Sequence, residues 1–229
     1  MQKYGKVIYK FGGDHVKGHH KEIHINNKVI NYTHIENGSN TICFMFSGSG
    51  YSYHHPLFYY ATMVMLENRI DVVQVHYSFK ENLSNYTIEE ITKILMAEID
   101  PILSEVLRLG QYNQTIFLGK SLGSTPIVLD LMKREQFLSS KMILLTPLLK
   151  FEAIFDALLH CSHQQMMIIG DLDPHYNASQ IEQLRDKEQR VHVIPNANHS
   201  LDIVGFKTTE SVRVLAEVME HIQDIIDLD

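Results

Sequence analysis

From Thr41 onward, short apolar runs alternate with helix-length amphipathic stretches, and the alternation repeats six times. The runs lie at 42–46, 72–76, 115–118, 142–145, 166–169 and 191–194. They are continuous rather than alternating, which is how strands covered on both faces of a parallel sheet appear in sequence. Apolar residues at three-to-four spacing predict helices at 57–68, 87–109, 122–134, 152–160, 178–187 and 208–226, with Pro101 expected to kink or interrupt the second of these. Right-handed crossovers then dictate a doubly wound, mostly parallel α/β sheet whose ligand sites lie beyond the carboxyl ends of the strands. The first forty residues read differently: a strand at 6–11 and a hairpin over 22–34, turning at Asn26-Asn27, predict an antiparallel start. No repeat, low-complexity tract or linker divides the chain, so residues 1–229 are expected to form one domain.

The run at 115–118 is followed at once by Gly119-Lys120-Ser121-Leu122-Gly123, and a helical pattern follows in turn. A G-x-S-x-G motif between a strand and a helix has a mechanical meaning. The serine occupies a tight, strained turn where flanking side chains would collide with neighbouring elements, so its hydroxyl is pushed out above the sheet edge. The positive end of the helix and the Leu122 N–H then face any oxyanion formed at an attacked carbonyl. Pro126, five residues beyond Ser121, predicts a distorted first turn. Lys120 is expected to point to the opposite side of the turn.

With these motifs the chain resembles the α/β-hydrolase superfamily over nearly all of its length, in particular its small lidless serine hydrolases (esterase, dienelactone-hydrolase-like and serine-aminopeptidase-like branches). In that family nucleophile, acid and histidine follow one another in the chain, the acid after the next-to-last strand and the histidine after the last. Gly170-Asp171-Leu172-Asp173-Pro174 is similar to the family's G-x-x-D turn, and the resemblance nominates Asp173, with Asp171 as the rival acid. Pro195-Asn196-Ala197-Asn198-His199-Ser200-Leu201 is similar to its histidine loop and nominates His199. A serine hydroxyl is a poor nucleophile until a base takes its proton. Histidine can take and return that proton near neutral pH, and a carboxylate fixes the imidazole tautomer. The resemblance also implies a second oxyanion donor in Ser47-Gly48-Ser49-Gly50-Tyr51. Relatives commonly carry His-Gly where this chain has Ser47-Gly48, so the donor is the N–H of Ser49 or is displaced to Gly50 or Tyr51. Tyr51 and Tyr53 are candidate pocket walls, together with Leu148, Leu149, Phe151 and the His199 loop. Only about twenty residues separate the runs ending at Leu145 and starting at Met166, which leaves no room for a large cap and predicts an open pocket.

Net charge of −7 argues against nucleic acid, and no apolar window is long enough to span a membrane. The N-terminal residues lack a secretory h-region, so the cytoplasm is the expected compartment. Cys43 and Cys161 are too few for a disulfide framework. His15, His19, His20, His54, His55, His160 and His163 come without a ligating spacing, so no metal or other cofactor is expected. The expectation is therefore a serine hydrolase acting on a small-molecule acyl substrate, an ester or a thioester, through an acyl-Ser121 intermediate. A silent binding or scaffold protein and an acyltransferase using the same three residues stand as alternatives.

Overall fold

A computed structural model describes residues 6–11, 14–25, 28–77, 83–109 and 112–228. The predicted turn at Asn26-Asn27 lies outside the described residues, but the strands on either side pair as a hairpin, Ile25 opposite Lys28.

The run at 42–46 shows how the sheet is built. Ile42, Phe44 and Phe46 enter one apolar layer, Cys43 and Met45 the opposite one, and all five are fully buried. The period of two along a strand thus feeds two cores, so every residue of the run is apolar. The strands are β1 (Lys6–Phe11), β2 (Asp14–Ile25), β3 (Lys28–Ile35), β4 (Thr41–Phe46), β5 (Asp71–His76), β6 (Gln114–Lys120), β7 (Lys141–Leu145), β8 (Gln165–Gly170) and β9 (Arg190–Ile194). The helices are α1 (Pro56–Glu67), α2 (Ile88–Leu109), α3 (Ser124–Leu129), α4 (Glu152–Leu159), α5 (Ala178–Asp186) and α6 (Thr208–Ile226). Among the described residues the strands form one sheet in the order β1-β2-β3-β5-β4-β6-β7-β8-β9. It is parallel from β5 through β9 and antiparallel at β1–β2, β2–β3 and β3–β5. Apolar stripes of α1 and α6 cover one face, and those of α2, α3, α4 and α5 the other. The chain therefore leaves β4 toward one face and β6 toward the other, opening a crevice between their carboxyl ends.

Three expectations change. β2 begins at Asp14, well before the predicted hairpin, in the polar stretch His-Val-Lys-Gly-His-His; its backbone pairs on both sides, with β1 and β3. Pro101 lies inside α2 and does not interrupt it. The helix predicted over 122–134 is reduced to α3 between 3₁₀ turns at Ser121–Gly123, Leu131–Lys133 and Glu135–Phe137. Pro126 has no N–H to give to the Leu122 carbonyl, so the entry turn tightens as its position foretold. Between β7 and β8 there is only α4, and no cap. Among the described residues no helix is long and apolar enough to cross a membrane.

Candidate active site

β6 delivers Ser121 to the crevice with φ of 52°, the left-handed region that a side chain rarely enters without need. The two glycines make the turn possible. A Cβ on Gly119 would come within 2.4 Å of the Gly123 carbonyl oxygen, and one on Gly123 within 2.0 Å of the Phe46 carbonyl oxygen. The elbow is thus pressed, backbone on backbone, against the end of β4. The Ser124 hydroxyl donates to the Ser121 carbonyl at 2.6 Å and closes the turn.

The histidine loop is built from its own polar residues. Asp171 accepts the Asn196 N–H at 2.6 Å, and the Asn198 side-chain oxygen accepts the Ser200 and Asp202 N–H groups at 2.8 and 3.2 Å. Asn196 and Leu201 supply the left-handed bends, at φ of 58° and 62°. The result places His199 Nε2 2.8 Å from Ser121 Oγ, while His199 Nδ1 donates to Asp173 Oδ2 at 2.7 Å. Asp173 Oδ1 accepts the His175 N–H at 2.8 Å, and its carboxylate is wholly buried beside a one-third-exposed imidazole. Of the two rival acids it is therefore Asp173 that meets the histidine, while Asp171 is a turn carboxylate. With Nδ1–H held by Asp173, Nε2 is free to accept the serine proton.

His175, which the sequence reading passed over, packs its ring 5.5 Å from that of His199 and 6.1 Å from that of Phe151. Burial, above all, lowers its pKa and favours the neutral ring. The only sequence signal was its position two residues after Asp173.

The loop after β4 sits across the crevice. Gly48 packs on the elbow, where a Cβ would meet Ser121 Cβ at 3.1 Å. The Tyr51 N–H is taken by the Gly48 carbonyl at 3.2 Å, and the Ser47 N–H by the Tyr53 hydroxyl at 3.1 Å. Of the loop N–H groups weighed from sequence, Tyr51 is thereby occupied; Ser49 and Gly50 are exposed. Tyr53 lines a cavity beside Tyr51, but from a braced position. It is buried, with its hydroxyl 2.7 Å from the Met45 and Val75 carbonyls, bracing the loop against β4 and β5. Leu148 and Leu149 are likewise buried in the core beneath α3 and α4, so of that expected wall only Phe151 is exposed.

Tyr51 stands between two open spaces. On one side a cavity of about 420 Å³ is lined by polar side chains, among them Thr33, Gln74, His54 and His76, the last with a pKa pushed down to about 4 by burial. On the other, a groove of about 830 Å³ runs from Tyr51 and His55 along Leu201 to Phe206 and Val212. Phe206 is fully exposed there. Among the described residues no cluster of three or more His, Cys, Asp or Glu side chains is placed to hold a metal ion. Lys120 does not reach solvent: only 2% of it is exposed.

No protein-family model matches the chain, and no curated protein matches it in sequence. Solved structures do match in shape. Est1E from Butyrivibrio proteoclasticus is 12% identical, with 91% of this chain and 99% of that chain covered and a TM-score of 0.64. XC6422 from Xanthomonas campestris, described as a serine hydrolase of the α/β class without a lid, is 12% identical over 91% of this chain and 93% of that one, with a TM-score of 0.66. The Pyrococcus furiosus esterase Pf2001 is 14% identical over 96% and 92%, with a TM-score of 0.59. Sheet order, crossover pattern, strand-to-helix elbow and missing cap, taken with these likenesses, identify the fold as that of the lidless α/β hydrolases.

Proposed function

We propose that the protein is a serine hydrolase that cleaves a carboxylic ester or a related acyl bond, thioesters included, by way of an acyl-Ser121 intermediate. The observation that carries this reading is the unbroken hydrogen-bond chain from Ser121 Oγ to His199 Nε2 and from His199 Nδ1 to Asp173, on a serine held at positive φ. His199 takes the hydroxyl proton as Ser121 attacks the carbonyl, and Asp173 steadies the imidazolium that forms. The N–H groups of Leu122, next to the nucleophile, and Ser49, next to the glycine packed on it, are assigned to the oxyanion. His199 then returns the proton to the leaving group, which departs. Water enters, His199 takes its proton, and the acyl group leaves as the acid while Ser121 recovers its hydrogen. The esterase name of Pf2001 supports the same bond class.

The open crevice, flanked by a polar cavity and an apolar groove, suits a small or surface-exposed acyl substrate. A silent scaffold has no need of a serine, a histidine and an aspartate joined in this hydrogen-bond order. The test is labelling with a fluorophosphonate probe beside Ser121→Ala. Labelling of the parent and loss in the variant are expected; an unlabelled but folded parent refutes the reading. Ester and thioester panels, with and without an acceptor alcohol, then separate hydrolysis from acyl transfer.

A further inference from the structure

Lys120 immediately precedes the nucleophile and is among the largest fully buried side chains of the protein. Its Nζ donates to the His199 carbonyl oxygen at 2.8 Å and to Thr146 Oγ1 at 3.2 Å, and it lies 4.6 Å from the centroid of the Tyr51 ring. These partners come from three different places: the loop after β9, the residue after β7 and the loop after β4. The lysine itself ends β6. One ammonium group thereby ties together the strand ends that carry the serine, the histidine and the oxyanion loop.

Burying such a charge costs several kcal/mol unless its protons find partners, and an apolar side chain of similar length would fill the space without that penalty. Here two acceptors and a ring face meet it. Thr146 pays a cost of its own. It is a fully buried β-branched residue at φ of 47°, held there by its N–H bond to the Ile168 carbonyl at 2.7 Å, and the strained backbone is what turns its hydroxyl toward Lys120. A strained threonine and a buried lysine, each unfavourable alone, satisfy one another directly behind the nucleophile.

We infer that Lys120, seated on Thr146, is a positioning residue for the reaction: as an ammonium it fixes the His199 backbone and the Tyr51 ring, and so the imidazole and the oxyanion loop, relative to Ser121. The inference rests on Ser121 and His199 being the reacting pair. Its signature is a rate that depends on the charge of a group touching neither substrate nor reacting atoms. Burial lowers the Lys120 pKa to about 8, with the nearby carboxylates of Asp173 and Asp202 opposing that shift. Above that pH the amine keeps two N–H donors but loses its attraction to the Tyr51 face and its charge-assisted bond to the His199 carbonyl. The other rings packed here are those of Tyr51 itself, whose hydroxyl burial raises to about 12, of His175, which burial lowers, and of His55, stacked on Tyr51 at 4.4 Å.

The experiment measures kcat and KM for p-nitrophenyl acetate between about pH 6 and about pH 10, with fluorophosphonate labelling in parallel, on the parent, Lys120→Met, Lys120→Arg and Thr146→Val. The parent is expected to lose kcat as pH rises through about 8, with KM nearly constant. Lys120→Met lowers the plateau kcat by roughly ten- to a hundredfold, the effect of a small displacement of the base, and abolishes the alkaline fall. Lys120→Arg, which keeps its charge throughout, also abolishes the fall. Thr146→Val, lacking an acceptor for the ammonium, moves the fall to lower pH. A parent that labels and turns over but shows no alkaline fall overturns the inference, as does Lys120→Met with the parent's rate and profile. If Lys120→Met does not fold, the parent profile and the Thr146→Val shift decide the matter. A parent that never labels instead defeats the hydrolase reading beneath it.

Discussion

Replacing Asp173 by Asn changes almost no volume and yet should stop turnover. In the parent, Asp173 Oδ1 accepts the His175 N–H at 2.8 Å and Oδ2 accepts His199 Nδ1–H at 2.7 Å. An asparagine has one acceptor for these two donors. If its oxygen stays with the backbone N–H, its amide nitrogen faces His199 Nδ1, which must shed its proton. The ring then carries the proton on Nε2, pointed at the Ser121 hydroxyl 2.8 Å away, and no base remains. If the amide flips, two N–H groups confront each other in a buried site, at a cost of about 1–3 kcal/mol. Either way the negative charge that steadies the imidazolium is gone. The expected loss in kcat is about 10⁴-fold, or about 5.5 kcal/mol in the barrier, with KM nearly unchanged because the buried carboxylate touches no substrate. The assay is steady-state hydrolysis of a p-nitrophenyl ester, with circular dichroism to show that the fold persists. Asp171→Asn is the control. Asp171 accepts only the Asn196 N–H, which an amide oxygen can also do, so its loss should stay within about tenfold. An Asp173→Asn protein within tenfold of the parent, or a larger loss in Asp171→Asn, refutes the assignment.

Other outcomes follow from single contacts. Tyr53→Phe leaves the Ser47 N–H and two strand-end carbonyls without their partner, so it should cost about 1–3 kcal/mol in urea unfolding and lower kcat more than it raises KM. Gly123→Ala drives a methyl group to 2.0 Å from the Phe46 carbonyl oxygen, and a loss of about 3 kcal/mol or more, seen as insolubility or a sharply lower Tm, is expected. Burial holds His76 at a pKa of about 4, below its ordinary 6.5, so the unfolded chain takes up the proton first and folding stability declines as pH falls from about 6.5 to about 4. His76→Gln should reduce that decline in Tm, with His192, also pushed down to about 4 by burial, supplying part of the rest; a parent whose Tm is already flat over this window would contradict it.

The parallel half of the sheet was readable because strands such as 42–46 are apolar at every position, and two-sided burial is the reason they must be. Ser121 was readable from its strand-turn-helix motif, whereas Asp173 and His199 were nominated by the family resemblance, with Asp171 left as the rival acid. What stayed hidden depended on partners remote in sequence. The start of β2 is polar and earns its place through backbone pairing, which leaves no periodic trace. Lys120 reads as no more than a side chain on the opposite side of the turn until the His199 carbonyl, 79 positions away, is brought to its amine. Tyr53 reads only as a pocket wall until β4 and β5 present two carbonyls to its hydroxyl, and Leu148 as one until the core is seen to bury it.

The close seating of Gly123 on the Phe46 carbonyl bears on how the crevice responds to heat. Where two backbones meet with no side chain between them, their separation is a sum of atomic radii and contains no rotamer that could relax. The spacing between the elbow and the end of β4 cannot widen unless β4 itself shifts within the sheet, and it cannot narrow further on a ligand. Warming should therefore quicken turnover along a smooth curve up to the melting of the sheet, with the loss of activity and the loss of far-ultraviolet ellipticity falling at the same temperature.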